Sequence, residues 1–207
     1  MKRCVIIGGA EILNYDNAKG YLSSDDVYVF CDCGLRHAEG LGVEPDLIVG
    51  DFDSAENPCM DVETIVLPCE KDDTDTVFAV KEAIKRGFED FLILGAIGQR
   101  LDHTLGNVSI LKMLYDKGFK ACIVDDYCEI SALGKEVQYI SDNYLYFSLL
   151  NVFGETEGIN IKNAKYPLKD AVITCDYQYG VSNEVIKGEL AEVSVSKGVL
   201  LLIKVKK

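Results

Sequence analysis

The sequence predicts an α/β domain followed by a smaller all-β domain, and three observations lead there. Up to about residue 134, short apolar runs alternate with segments of helical period, the pattern of a largely parallel sheet covered by helices. Beyond it, short β-rich runs separated by turn residues succeed one another with no long helical period. Within the first part, carboxylates recur where apolar runs end, at the sheet edge where open α/β sheets bind ligands. The expected architecture is an N-terminal, largely parallel α/β sheet domain over residues 1–134 and a C-terminal β-sandwich or barrel over residues 135–207.

In chain order, Cys4–Ile7 followed by Gly8 and Gly9 reads as a buried strand and a tight turn. Gly8-Gly9-Ala10 lacks the third glycine of a dinucleotide fingerprint, so the turn is read as structural, leading to a short helical segment over residues 17–22. Val27–Cys31 is a second strand, ending at Asp32-Cys33-Gly34. Leu35, Ala38 and Leu41 space a short helix that Gly40 and Gly42 close. Residues 47–49 form a strand running into Gly50-Asp51-Phe52-Asp53-Ser54, with Phe52 expected to turn into the core between two acids. Residues 64–67 are strand-like. Val77, Val80, Ala83 and Ile84 then mark a helix face, with Asp73 or Thr74 as N-cap and Gly87 as stop. Residues 91–94 are the clearest strand, followed by the Gly95–Gly98 turn, a helix carrying Leu105, Val108, Leu111 and Leu114, and a strand over 121–124 closed by Asp125-Asp126. In the second part, residues 137–140, 144–152, 158–161, 172–174, 190–195 and 199–205 read as strands. Ala191, Val193 and Val195 alternate with polar residues as a half-buried antiparallel strand requires.

Composition bounds the function. The 207 residues are 48% hydrophobic and carry a formal charge of −13, with a sequence pI near 4.6. Such a field repels nucleic acid and anionic lipid, so neither nucleic acid nor membrane is expected as a partner. No apolar run approaches the roughly 20 residues of a membrane span. The eight cysteines include no Cys-x-x-Cys pair, and they read as reduced thiols of a cytoplasmic protein.

Asp32, Asp51, Asp53, Asp72, Asp73, Asp75 and Asp102 all stand after a strand or at a helix start. Capping explains any one of them. Gathered on one edge they would repel each other unless a cation lay between them, and Mg²⁺, which pairs carboxylates with substrate phosphates, is the natural candidate. Lys71 and Arg100 are the cations embedded in these loops, and Arg suits bidentate phosphate binding. His103, next to Asp102, reads as a ligand, an acid/base group or a surface histidine.

Asp32-Cys33-Gly34, Pro45-Asp46-Leu47-Ile48-Val49-Gly50-Asp51-Phe52-Asp53-Ser54, Lys71-Asp72-Asp73-Thr74-Asp75 and Gly98-Gln99-Arg100-Leu101-Asp102-His103 together, in that order, resemble the bacterial thiamine pyrophosphokinases. Tyr166-Pro167-Leu168 and Tyr179-Gly180-Val181-Ser182-Asn183-Glu184 extend the resemblance into the β part. It implies an enzyme that moves the terminal diphosphate of ATP to the hydroxyl of thiamine, giving thiamine diphosphate and AMP with Mg²⁺. It also implies a homodimer with thiamine bound between the α/β domain of one subunit and the β domain of the other. Carried over, Asp51, Asp53 and Asp75 hold Mg²⁺ and the phosphates, with Asp32 close by and Asp72 and Thr74 lining the site. Arg100 and Asp102, with His103 beside them, contact the nucleotide or order the metal, and Ser182 and Asn183 hold thiamine. Cys33 departs from the glycine common in relatives. Asp102 or Asp75 is the expected acceptor of the alcohol proton.

Two rivals stand beside this reading: a metal-dependent phosphoesterase and a non-catalytic nucleotide- or thiamine-binding module. Against the first, a chain with two histidines cannot build a His-rich dinuclear site.

Overall fold

The computed structural model describes residues 2–52, 60–68, 70 and 72–207. The chain forms two compact units, Met1–Asp126 and Tyr127–Lys207.

The first unit carries strands β1 (Cys4–Ile7), β2 (Val27–Cys31), β3 (Leu47–Gly50), β4 (Thr64–Val66), β5 (Asp90–Leu94) and β6 (Lys120–Val124). They lie in the order β4-β3-β2-β1-β5-β6, and each neighbouring pair is parallel. Every residue of β1 and β3 is buried, as expected of strands covered on both faces. The helices are α1 (Tyr15–Lys19), α2 (Ala38–Leu41), α3 (Asp75–Lys85) and α4 (Leu101–Asp116), with a 3₁₀ segment over Asp32–His37. Helix α3 buries Thr76, Ala79, Val80 and Ala83, one stripe at helical spacing, and packs on β1, β2 and β3. Because all six strands run the same way, the loops that follow them lie along one edge. The strand order reverses direction between β1 and β5, the switch point of an open α/β sheet.

The second unit contains β7 (Cys128–Leu133), β8 (Gln138–Ser141), β9 (Tyr144–Leu150), β10 (Ile159–Lys162), β11 (Leu168–Ala171), β12 (Leu190–Ser194) and β13 (Leu200–Lys206). One antiparallel array runs β7-β13-β9 and the other β11-β10-β12-β8. Phe147, Leu149, Leu200 and Leu202 from the first array share a core with Ile140, Ile159, Ile161 and Val193 from the second. This is a β-sandwich.

Some elements differ from expectation. Residues 172–174 form no strand: Ile173 is fully buried in the sandwich core from a loop, while β11 lies just before it, where Leu168 and Ala171 pair across to Ile161 and Ile159. An apolar residue can reach a core without extended pairing. Strand β7 was not anticipated, because only β13, about seventy residues later, supplies its partner. Helix α1 starts earlier than residue 17, capped by Asn14, whose side chain accepts from the Asn17 backbone at 3.0 Å. Phe52 is only half-buried and takes a left-handed φ of +54°, so it turns the chain at the end of β3 and does not enter the core.

Candidate active site

At the end of β2, Asp32 adopts a left-handed φ of +40°, a conformation that Asp tolerates better than most residues. Gly50 makes room for it, since a Cβ there would stand 3.1 Å from the Asp32 Cα, while Gly34 lets the following segment close on the end of β1, where a Cβ would collide with the Ile7 carbonyl oxygen. Asp32 is therefore packed against the end of β3, where Asp51 follows directly. The thiol of Cys33 donates to Asp32 Oδ2 at 3.1 Å. Asp32 Oδ1 is buried with no hydrogen-bond partner, an unusual state for a carboxylate oxygen in a native interior.

Asp75 opens α3 on the same edge. Burial pushes the Cys31 thiol far up, and the negative charge of Asp75 raises it further, as does that of Asp32. Both carboxylates thus lie within electrostatic reach of the end of β2. Asp51 and Asp75 are half-buried and engaged by their surroundings. Asp53 and Lys71 lie outside the described residues. Among the described residues no group of three or more His, Cys, Asp or Glu side chains stands at metal-binding distance. The donors gathered here are carboxylate oxygens, and one of them is buried and unsatisfied, which suits a hard cation.

The flanking residues are committed locally. Thr74 caps α3, its hydroxyl accepting from the Val77 backbone at 3.3 Å. Asp73 pairs with Lys81 at 2.7 Å, and Asp72 is exposed. Across β1, the loop after β5 is tied to α4 by the Asn107 amide, which donates to the Ala96 carbonyl at 2.8 Å. The Gly98 backbone donates to the Thr104 hydroxyl at 3.2 Å. This loop presents Arg100, which pairs with Asp102 at 2.6 Å, both side chains about two-thirds exposed. The guanidinium bond holds the Asp102 carboxyl down at about 2. His103 is exposed.

Residues that the sequence reading assigned no part tie the loops together. His37 is buried, its Nδ1 sharing a hydrogen bond with the Tyr15 hydroxyl at 2.8 Å and its Nε2 lying 2.9 Å from the Ala10 carbonyl. Arg36 donates to the Gly9 carbonyl. Asp126 accepts from the backbones of Leu13 and Asn14 at 2.9 and 2.8 Å. The signal for His37 was its place in the Leu35–Ala38 helical stretch, and for Asp126 its place after an apolar run.

In the second unit, Ser182 has a left-handed φ of +57° and its backbone donates to the Ser148 hydroxyl at 3.0 Å. Asn183 is buried, and its side chain is spent on backbone. Its Oδ1 accepts from Tyr166 and Glu184 at 3.0 and 2.9 Å, and its Nδ2 donates to the Tyr166 carbonyl at 2.8 Å. Tyr177 and Tyr179 pair with ring centroids 5.3 Å apart, both exposed.

Comparison with known proteins agrees with this layout. Residues 18–123 match the family described as "Thiamin pyrophosphokinase, catalytic domain", and residues 135–200 match "Thiamin pyrophosphokinase, vitamin B1 binding domain". A thiamine pyrophosphokinase of Bacillus subtilis is 26% identical over 212 residues, covering 99% of each chain. The crystal structure of thiamin pyrophosphokinase from Geobacillus thermodenitrificans superposes with a TM-score of 0.84 at 26% identity, covering 100% of this chain and 98% of the other. That of yeast thiamin pyrophosphokinase retains the fold at 15% identity, with a TM-score of 0.74 over 99% of this chain and 86% of the other. With family matches over both units and carboxylates converging on the edge of the first, the chain belongs to the thiamin pyrophosphokinase family.

Proposed function

We propose that this chain transfers the terminal diphosphate of ATP to the hydroxyl of thiamine, releasing AMP and thiamine diphosphate. Family membership supports the reaction. The observation that carries the site is the buried, unsatisfied Asp32 Oδ1 beside Asp51 and on the same edge as Asp75. The first unit, to Asp126, acts as the ATP- and Mg²⁺-binding catalytic domain, and the second, which takes in β7 and so begins a few residues before the expected boundary at 135, as the thiamine-binding domain. The working assembly is a cytoplasmic homodimer with thiamine held between the two kinds of domain from different subunits.

Asp51, Asp53 and Asp75 would hold Mg²⁺, with Asp32 adjoining and Asp72 and Thr74 at the rim. When bound, the metal neutralises phosphate charge and polarises the phosphoryl oxygens. The protein's own share is positioning, since phosphoryl transfer asks for in-line alignment and little covalent work. The 3₁₀ segment after β2 and the first turn of α3 hold the carboxylates on one edge. Arg100, on a loop pinned by Asn107 and Thr104, supplies a guanidinium for the nucleotide phosphates once it leaves Asp102. In the resting pair Arg100 holds the Asp102 carboxyl low, and its departure toward the phosphates releases that carboxylate, so Asp102 or Asp75 takes the proton from the thiamine hydroxyl as attack on the β-phosphorus proceeds. Ser182 meets thiamine through its turn, and Asn183 fixes that turn from behind.

Purified protein incubated with Mg-ATP, with and without thiamine, and followed for AMP and thiamine diphosphate tests the proposal. Stoichiometric AMP and thiamine diphosphate, dependent on both thiamine and Mg²⁺, is the expected outcome. Thiamine-independent release of ADP or phosphate would instead identify a phosphoesterase, and binding without product a sensor.

A further inference from the structure

Strand β9 ends the β7-β13-β9 array, and residues 178–183 run along its outer edge. Their register follows from the hydrogen bonds. Phe147 and Asn183 exchange both backbone bonds, at 2.9 and 2.8 Å. An unbroken antiparallel ladder would next pair Leu149 with Val181, yet the Leu149 amide donates to the Gly180 carbonyl at 2.8 Å. Val181 and Ser182 therefore stand opposite the single residue Ser148. This is a β-bulge, and the left-handed φ of +57° at Ser182 belongs to it. Both bulged residues are exposed.

Two side chains hold this register. The hydroxyl of the buried Ser148 accepts from the Ser182 backbone amide at 3.0 Å, satisfying the donor that the bulge displaces from the ladder. Farther along, Gln178 reaches Asn151, and its carboxamide stands in for a backbone pair. Oε1 accepts from the Asn151 backbone amide at 2.9 Å, and Nε2 donates to the Asn151 carbonyl at 2.8 Å. Asn151 is a fixed anchor: it is 2% exposed, and its side chain donates to the Ile173 carbonyl at 2.5 Å and the Thr156 hydroxyl at 3.1 Å. A slip of one residue would reverse the faces of this segment and re-aim Ser182.

We infer that Gln178 and Ser148 are positioning residues for thiamine, fixing the register of the bulge that presents Ser182 to it. The inference rests on the reading that Ser182 meets thiamine. Calorimetry with thiamine, steady-state kinetics and amide hydrogen exchange on the full-length protein test it. Gln178→Ala removes both bonds from a half-buried position and should weaken thiamine about tenfold through lost preorganisation. The KM for thiamine should rise with it while the KM for Mg-ATP stays unchanged, and the Ser182 amide should exchange faster. Ser148→Ala should act in the same way, and Ser148→Thr, which keeps the hydroxyl, should restore affinity and protection. Ser182→Lys, which places bulk against whatever meets that residue, separates the inference from the reading beneath it. Thiamine weakened by Ser182→Lys but bound normally by folded Gln178→Ala and Ser148→Ala would overturn the positioning role and leave the Ser182 reading standing. Normal affinity in Ser182→Lys, or no thiamine binding by the unaltered protein, would overturn that reading and the inference with it.

Discussion

Asp32, at the end of β2, combines a left-handed backbone with a buried, unsatisfied Oδ1. Each feature costs of order 1–3 kcal/mol, and a fold retains such costs at sites where a ligand offsets them. In the proposed reaction the charges of Asp51 and Asp53 are the ones that matter most for transfer. Asp51→Asn and Asp53→Asn are each expected to lower diphosphate transfer by about 100-fold or more, the scale of losing one charge-stabilising group in a phosphoryl-transfer site. The circular-dichroism spectrum and thiamine binding should stay close to wild type, and near-normal turnover in either variant would remove that site from the account. Asp102 gives a second residue-scale prediction. Its carboxyl is held near 2 by Arg100, so whatever stability the pair adds is present above the ordinary carboxylate range and is lost only as pH falls through about 2. A carbon-13 titration of Asp102 should show that low midpoint, and Arg100→Gln should return it to about 4. An unshifted midpoint in the unaltered protein would mean that the pair does not persist in solution. The aspartates could be picked out from the sequence because each follows an apolar run or stands at a helix start. The commitment of Asn183 to the Tyr166 backbone could not, because its partner lies seventeen residues away and only folding brings it there.

Among the elements, α3 links stability to the site. Its first turn carries Asp75, and the Thr74 hydroxyl fixes that turn by accepting from Val77. Thr74→Ala should cost about 1 kcal/mol in urea unfolding, with an unchanged m-value and a raised KM for Mg-ATP as Asp75 loses its fixed setting. Thr74→Ser should recover most of both. The helix, its cap and the parallel strands were legible because periodicity and capping are local signals. The sandwich was less so. Residues 172–174 have the composition of a strand but enter the core as a loop, and β7 is defined by a partner far along the chain. Strand pairing is a non-local choice, so alternation alone cannot settle it.

Over the whole molecule, a formal charge of −13 opposes the approach of any nucleotide. Raising ionic strength from about 10 mM to about 150 mM shortens the screening length from about 30 Å to about 8 Å. At fixed free Mg²⁺, kcat/KM for ATP is therefore expected to rise severalfold over that range while kcat for saturated enzyme changes little. A steady fall would show that local cations such as Arg100, and not the overall field, govern capture. The sequence by itself determined the two-part architecture, the family and the set of acids, since apolar period, turn residues and ordered motifs are written along the chain. Only the tertiary structure decided which of these acids share an edge, that Asp102 is bound to Arg100, and that Asn183 faces backbone. Those outcomes depend on strand order and on side chains distant in sequence, and a polar group's partner is fixed only when the chain closes around it.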